Sequence, residues 1–248
     1  YDNAVKILKE VIDSQQYTFI QNYTELFDVD NKNNSESIFE IQYTEAVTDL
    51  GSAFANLFAP IGSSEVTGGI GATEGNNEPT QNFYESYNID DLRRDVSIGQ
   101  LADGRIYCKK FVKKPVLPNQ SNANFVVLRY TDVLLMYAEA LNEISYSSSG
   151  DAIKYLNEVR QRAGLQLYTS QQITGQDEFR NLIWNERRYE FAFENQRWFD
   201  LLRSGKAVEV MSKSSNGDFV IEPYQLLFPI PQNQIDIAPD IMKQNDNY

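Results

Sequence analysis

The residues best suited to acid and base chemistry lie in the segment NERRYEFAFENQRWFDLLRSGK, from Asn185 to Lys206. Carboxylates beside arginines are the raw material of proton transfer. Acids and bases three or four positions apart on a helix mostly pair with each other, and arginines can lie on neighbouring aromatic rings such as that of Tyr189. We therefore interpret these charged residues as a structural polar network. They are Glu186, Arg187, Arg188, Glu190, Glu194, Arg197 and Asp200.

Other catalytic arrangements have little support in the sequence. The chain contains no histidine, which removes Ser-His-Asp triads, Cys-His pairs and histidine-ligated zinc. Glycoside hydrolysis by a carboxylate pair stays a formal alternative, because 35 acidic residues create many accidental pairs. Asp90, Asp91 and Asp95 could hold a metal ion, but Arg93 and Arg94 can neutralise them. We predict no catalytic residue, no metal site and no cofactor.

Composition narrows the range of partners. The 248 residues are 42% hydrophobic, enough for one large core or two smaller ones. The formal net charge of −13 argues against a nucleic-acid partner, since phosphate binding needs a positive face. No run of 18 apolar residues exists, so we predict no membrane-spanning segment. The single cysteine, Cys108, fits a half-buried thiol on a strand.

The charged segment belongs to a helix that must position it. Apolar residues at three- and four-residue steps predict a helix from about Asp177, with carboxylates set into its apolar face. We expect it to end near Asn195 in the left-handed conformation, and a second helix to run from Gln196 to Arg203 and stop at Gly205. The residues that share the first helix face are Phe179, Leu182, Ile183, Glu186, Tyr189, Glu190 and Phe193.

Three more helices follow from the same periodicity. The first runs from Asp2 to Ser14, the second spans Leu128 to Leu141, and the third starts at Asp151 and is stopped by Gly164. After Ser212 the chain is predicted to be mostly extended, and 228–231 cannot be helical. The apolar stripe of the first helix consists of Ala4, Val5, Leu8, Val11 and Ile12.

The region between these helices is rich in loops. Alternation of Phe39, Ile41 and Tyr43 with polar residues predicts a strand whose aromatic and aliphatic face is buried. The glycine-rich segment 62–77 predicts a long loop, which is either functional or disordered. Beyond it we expect a helix after Pro79, one or two strands between residues 101 and 114, and a polar linker over 115–124.

Several motifs resemble those of one family in the same order. They are LRYTDVLLMYAEALNE (128–143), LNEVRQRAGL (156–165), ERRYEFAFENQRWFDLLRSGK (186–206), LFPIPQNQID (227–236) and the terminal QNDNY. The chain is similar to the C-terminal half of the SusD/RagB proteins, the outer-membrane nutrient-binding lipoproteins of Bacteroidetes.

The resemblance implies a mainly α fold of tetratricopeptide-like helical hairpins with long irregular loops and a few short strands. We expect one compact unit over 1–248. Its parts would be the second helix of a hairpin and a connector (1–27), a loop-rich region (28–124), helical hairpins (125–211) and an extended tail (212–248). The partner of the first helix and an N-terminal lipid anchor are expected upstream of Tyr1.

The function implied by the resemblance is non-catalytic capture of oligosaccharides on the outer face of the outer membrane. The captured glycan would pass to a TonB-dependent, SusC-like transporter. Two alternatives stay open: a peptide ligand in place of the glycan, and a carboxylate-dependent glycosidase on the same helical scaffold.

We place this chain's share of the ligand site in the loop that precedes the Pro79 helix. Two of its residues, Glu74 and Asn76, stand where the family commonly carries aromatic rings, so we expect weak binding by this half alone. The predicted polar contacts are Glu65, Thr67, Glu74, Asn76 and Asn77, and the predicted ring platforms are Tyr84 and Tyr87.

Overall fold

The computed structural model describes residues 1–214 and 220–248. These residues form two compact units, Tyr1–Glu194 and Asn195–Tyr248. The chain divides at the turn 191–195, in which Phe193 and Asn195 both take a positive φ.

The first unit is mainly helical, as the sequence predicts. Two antiparallel two-stranded sheets join β1 (Ser37–Ile41) to β4 (Phe125–Arg129) and β2 (Ile98–Gln100) to β3 (Ile106–Cys108). A short 3-10 helix covers Tyr23–Phe27. The elements in chain order are α1 (Asp2–Asp13), β1 (Ser37–Ile41), α2 (Phe54–Phe58), α3 (Gln81–Ser86), α4 (Arg94–Ser97), β2 (Ile98–Gln100), β3 (Ile106–Cys108), β4 (Phe125–Arg129), α5 (Tyr130–Ile144), α6 (Asp151–Arg162) and α7 (Gln176–Glu190).

The core of this unit lies on both sides of α5. One side of α5 packs with α6 and α7, and its Leu135 and Ala138 contact the cluster that contains Leu156, Val159 and Ile183. These positions repeat every three or four residues, so each helix turns one apolar stripe toward the others. The predicted hairpin of α5 and α6 is therefore confirmed.

The predicted end of α6 agrees with the structure, and the predicted start of α5 does not. Helix α6 ends at Arg162, and Gly164 terminates it as predicted. Gly164 has φ +76°, and the N–H of Leu165 donates to Arg160 O at 2.9 Å. The prediction that α5 includes Leu128 is wrong, because Leu128 pairs with Phe39 in the β1–β4 sheet. Helix α5 then begins at Tyr130.

The apolar stripe of α1 is only partly covered. Val5, Leu8, Val11 and Ile12 pack against α5 beside Tyr130 and Val133 of the core, whereas Ala4 is exposed. No residue of α1 is buried. This helix therefore contributes less apolar contact than its pattern allows.

Strand β1 is present where the alternation predicts it. The predicted buried face, with Phe39 and Ile41, is exposed, and the face with Glu40 is buried. Phe39 and Ile41 are 58% and 44% exposed, whereas Glu40 is 7% exposed. The carboxylate of Glu40 accepts a hydrogen bond from Asn124 Nδ2 at 2.7 Å, which compensates for its burial.

Helix α7 ends at Glu190, five residues before the predicted stop at Asn195. Asn195 has the predicted positive φ, +61°, and closes the turn that separates α7 from the next helix. The prediction of two helices with a break between them is confirmed.

The second unit holds α8 (Arg197–Arg203), α9 (Ala207–Ser214) and α10 (Gln232–Ile237), with a 3-10 helix at Pro223–Leu226. Gly205 has φ +68° and follows α8, as predicted. Helix α10 lies within the tail 212–248 that is predicted to be mostly extended, and residues 215–219 of this tail lie outside the described residues. In the described chain no helix is both long and apolar enough to span a bilayer.

Candidate functional site

A buried ion-pair network connects α7 with the rest of the first unit. Its carboxylates come from three separate stretches of chain, and its members other than Arg160 are buried. A buried charge is costly unless it is paired and hydrogen-bonded. The network consists of Glu36, Asp91, Arg93, Lys110, Arg129, Arg160, Arg162, Glu186, Glu190 and Glu194.

Glu190 lies at the centre of the network. Its Oε1 is 2.6 Å from both Arg129 and Arg162, and its Oε2 is 3.2 Å from Arg93. Burial alone would raise the pKa of Glu190, but Arg162, Arg129, Arg93 and Lys110 outweigh it and hold that pKa well below the usual range. The Glu190 carboxylate therefore stays ionised.

The polar network predicted from the sequence is present, but its pairing differs from the prediction. Glu186 binds Arg93 at 2.6 Å and Arg160 at 3.0 Å, and Arg187 binds Asp132 at 2.5 Å. These partners lie on other elements rather than one turn away on α7. The reason is that this face of α7 is buried, so its charges meet the elements packed on it.

Two arginines of α7 lie near aromatic rings, as predicted. The guanidinium of Arg187 is 4.9 Å from the ring centroid of Phe191, and that of Arg188 is 5.4 Å from the ring of Tyr189. A guanidinium over a ring face is favourable.

The aspartates at the start of α4 are neutralised as predicted. Arg93 Nε donates to Asp91 at 2.9 Å, and Arg94 Nε donates to Asp95 at 2.8 Å. Among the residues described, no group of three or more acidic or cysteine side chains is arranged to hold a metal ion. Cys108 at the end of β3 is fully buried, which raises the pKa of its thiol to about 12.

The glycine-rich loop 62–77 has a defined backbone because Asn56 of α2 holds it. Asn56 is 1% exposed, and its Nδ2 donates to Ile70 O at 2.8 Å and to Ala72 O at 2.9 Å. Its Oδ1 accepts from the N–H of Asn119 at 3.0 Å. One side chain thus joins α2, the loop and the 115–124 linker.

The end of the loop is also bonded to the backbone of α2. The N–H groups of Glu74 and Asn76 donate to Asn56 O at 3.0 Å and Leu57 O at 2.7 Å. These bonds are made by backbone N–H groups and do not involve the side chains. The side chains of Glu74, Asn76 and Asn77 are exposed. The Asn76 amide donates to the Glu74 carboxylate at 3.1 Å.

The structure therefore brings Glu74, Asn76 and Asn77 together on one exposed stretch. Glu65, at the other end of the loop, is also exposed, and its Oε2 accepts from the N–H of Ala102 at 3.2 Å. Such amide and carboxylate groups are suited to hydrogen bonding with hydroxyls.

Two of the predicted contacts are not on the surface. Thr67 is 0% exposed and Tyr87 is 5% exposed, so a ligand on this surface touches neither side chain. Tyr87 packs against Phe83 and Tyr189, with ring centroids 5.2 Å and 4.7 Å away. Its role is in packing α3 on α7, which corrects its assignment as a ring platform.

Tyr84, the other predicted platform, is half-buried. The guanidinium of Arg94 lies 5.3 Å from its ring centroid. Tyr84 therefore presents part of its ring beside a cation.

Sequence reasoning missed the residues that hold and flank the loop. Asn56 contacts positions 14 and 16 residues away, and Arg105 Nη1 donates to Ile61 O, 44 positions away, at 2.8 Å. No local pattern marks these partners. The glycine content of the loop and the family resemblance were the signals that pointed to this region.

Comparisons with known proteins find similar sequences and similar folds. The SusD family profile matches residues 94–248. SusD-like protein P2 from Formosa agariphila is 32% identical over 207 residues, covering 68% of this chain and 40% of that protein. Surface glycan-binding protein A from Bacteroides thetaiotaomicron has 29% identity and a TM-score of 0.82, covering 98% of this chain and 58% of the solved chain.

The same Bacteroides thetaiotaomicron protein has also been solved in complex with laminarihexaose, and that structure matches with a TM-score of 0.81 and 28% identity. The helices and connecting loops of the present chain thus define a SusD-like fold. The chain belongs to the SusD family. It spans 40% of the curated relative and 58% of the solved relative named above.

Proposed function

We propose that this protein captures oligosaccharides at the cell surface without cleaving them, and that a SusC-like, TonB-dependent transporter takes up the captured glycan. Family membership and the likeness to surface glycan-binding protein A support the ligand class. The transporter partner, the outer-membrane location and the lipid anchor are inferred from the family alone.

The observation that carries the proposal is the fixed display of polar groups on the loop. Glu74, Asn76 and Asn77 are exposed, while the backbone beneath them is bonded to α2 and to Asn56. A glycan that meets this loop finds donors and acceptors already in place, which lowers the entropy lost on binding. Glu65 and Tyr84 complete our proposed set of contacts in this chain.

A glycosidase role has less support in the geometry. Hydrolysis needs an accessible carboxyl pair, one of which carries a proton near the working pH. Glu186 and Glu190 are 2% and 0% exposed, and both are ion-paired with arginines. Their carboxylates therefore stabilise the fold and are out of reach of a sugar.

The test is a titration of the purified protein with laminarihexaose and, in parallel, with short peptides, together with an assay for shortened sugars. We expect binding of the oligosaccharide and no product. Peptide binding alone would favour the peptide alternative. Hydrolysis that disappears in Glu186→Gln or Glu190→Gln would favour the glycosidase.

The loop is tested with Glu74→Ala/Asn76→Ala and a matched control on α1, Asn3→Ala/Glu10→Ala, because all four side chains are exposed. We expect the loop variant to bind about tenfold more weakly and the control to bind like the parent. Equal affinity of the loop variant and the parent would place the site elsewhere.

A further inference from the structure

The turn between β2 and β3 lies directly against the glycine-rich loop. Ala102 in this turn donates its N–H to Glu65 Oε2 at 3.2 Å, and Arg105 Nη1 donates to Ile61 O at 2.8 Å. These bonds join the two ends of the turn to the start of the loop. The β2–β3 turn and the loop therefore form one continuous surface.

An exposed apolar side chain stands on this surface. Ile61 is 69% exposed although its own carbonyl is bonded to Arg105. A Cβ placed on Gly75 would lie 3.3 Å from Ile61 Cγ1 and 3.0 Å from Glu78 Oε1, so these two side chains flank Gly75 closely. Gly75 has φ +65°, and because it has no side chain it does not cover the side chains of Ile61 and Glu78.

Polar groups beside Ile61 are held in a fixed orientation. Arg105 Nε donates to Asp103 Oδ2 at 2.9 Å, and Nη2 of Arg105 is 2.8 Å from the same oxygen. The Arg105 and Asp103 side chains are 46% and 51% exposed. A guanidinium has five N–H donors. Arg105 therefore has further N–H groups beyond those that bind Asp103 and Ile61.

The charges around Ile61 are mostly negative. The hydrogen bond to Asp103 raises the pKa of Arg105, and electrostatic attraction by the Asp103, Glu78 and Glu65 carboxylates raises it further. An anionic group brought to this surface would meet a net negative charge.

We propose that Ile61, Glu78, Asp103 and Arg105 form a subsite for one uncharged sugar unit of the glycan. The C–H face of a pyranose packs on the exposed Ile61 side chain, and the guanidinium and carboxylates hydrogen-bond its hydroxyls. The acidic rim disfavours sugars that carry a carboxylate or a sulfate. This inference rests on the proposed function and adds the β2–β3 turn to the site.

The subsite is tested by titrating laminarihexaose into Ile61→Ala and Arg105→Gln. The matched controls are Ile7→Ala, whose side chain on α1 is 61% exposed, and Lys213→Gln, whose exposed ammonium on α9 is 2.8 Å from Glu209. Thermal unfolding of each variant shows that it is folded. We expect an affinity loss of about tenfold in each subsite variant and none in the controls.

The charge preference is tested with an oligosaccharide of similar length made of uronic acid units. We expect it to bind at least about tenfold more weakly than laminarihexaose at low salt, and Glu78→Gln to narrow that difference. Equal or tighter binding of the acidic oligosaccharide by the parent would overturn the charge preference.

The proposed function and this inference fail in different ways. If Glu74→Ala/Asn76→Ala weakens binding but Ile61→Ala and Arg105→Gln bind like the parent, the subsite is wrong and the loop site stands. If the parent protein binds no oligosaccharide, both are wrong.

Discussion

Arg162 and Glu36 are 126 positions apart in the sequence, and their side chains meet 2.8 Å apart with neither exposed to solvent. Arg162 is the last residue of α6, and Glu36 precedes β1. The same guanidinium also reaches Glu190 of α7 at 2.6 Å. Three elements that are distant in the chain are thus fixed to one another through one arginine and two glutamates.

We predict that Glu190→Gln lowers the free energy of unfolding by about 3–5 kcal/mol, because three arginine partners would lose a buried counter-charge. Urea unfolding followed by circular dichroism measures the loss. The control is Glu158→Gln, since Glu158 is partly exposed and 3.8 Å from Lys154 on the same helix. That change should cost less than about 1 kcal/mol. Equal losses in the two variants would contradict a structural role for the network.

We also predict that Glu190 makes the free energy of unfolding depend on pH. The pKa of Glu190 in the folded protein is held well below the ordinary value of about 4.3 for an unfolded chain. Its contribution is therefore complete above about pH 4.3 and is lost as the pH falls below that value. The stability of the parent should fall more steeply than that of Glu190→Gln between pH 5 and pH 3. Parallel curves for the two proteins would show that Glu190 is not the cause.

Much of the helical fold follows from local sequence, because periodicity and stop residues act over a few positions. Helix α6 with Gly164, the break after α7 and the Pro79 region are examples. The buried face of β1 could not be predicted in this way. Glu40 is buried because Asn124, 84 positions away, supplies its hydrogen bond.

The candidate site was predicted only in outline. Glycine content locates the loop, but burial of Thr67 and Tyr87 depends on elements packed over them. The contribution of the β2–β3 turn depends on Arg105 reaching Ile61, and no local signal encodes that contact.

A third prediction concerns the turn after α7. Asn195 has φ +61°, a conformation that glycine adopts without strain from a Cβ atom. Asn195→Gly should be neutral or slightly stabilising, whereas Asn195→Val should destabilise by about 1–2 kcal/mol. Thermal unfolding of the two variants distinguishes them. A destabilised glycine variant would mean that the Asn195 side chain matters more than its backbone.

A fourth prediction compares two leucines that differ in burial. Leu156 of α6 is 0% exposed, so Leu156→Ala should cost about 2–5 kcal/mol through lost contacts and a cavity. Leu8 of α1 is only partly buried, so Leu8→Ala should cost clearly less. Chemical denaturation of both variants gives the difference. A cost at Leu8 equal to that at Leu156 would mean that α1 is covered as completely as α6.

The last prediction assigns Asn56 a positioning role. Asn56→Asp keeps an oxygen that can accept from the N–H of Asn119, but it removes the amide that donates to Ile70 O and Ala72 O. Leaving these carbonyls unpaired should weaken the local structure by about 1–3 kcal/mol, with the helical core intact. Limited proteolysis should then cut the chain within 62–77 faster, and oligosaccharide affinity should fall although Asn56, at 1% exposure, touches no ligand. The control is Asn82→Asp, an exposed asparagine on α3. Faster cleavage with unchanged affinity would separate the order of the loop from glycan binding and would contradict the proposed site.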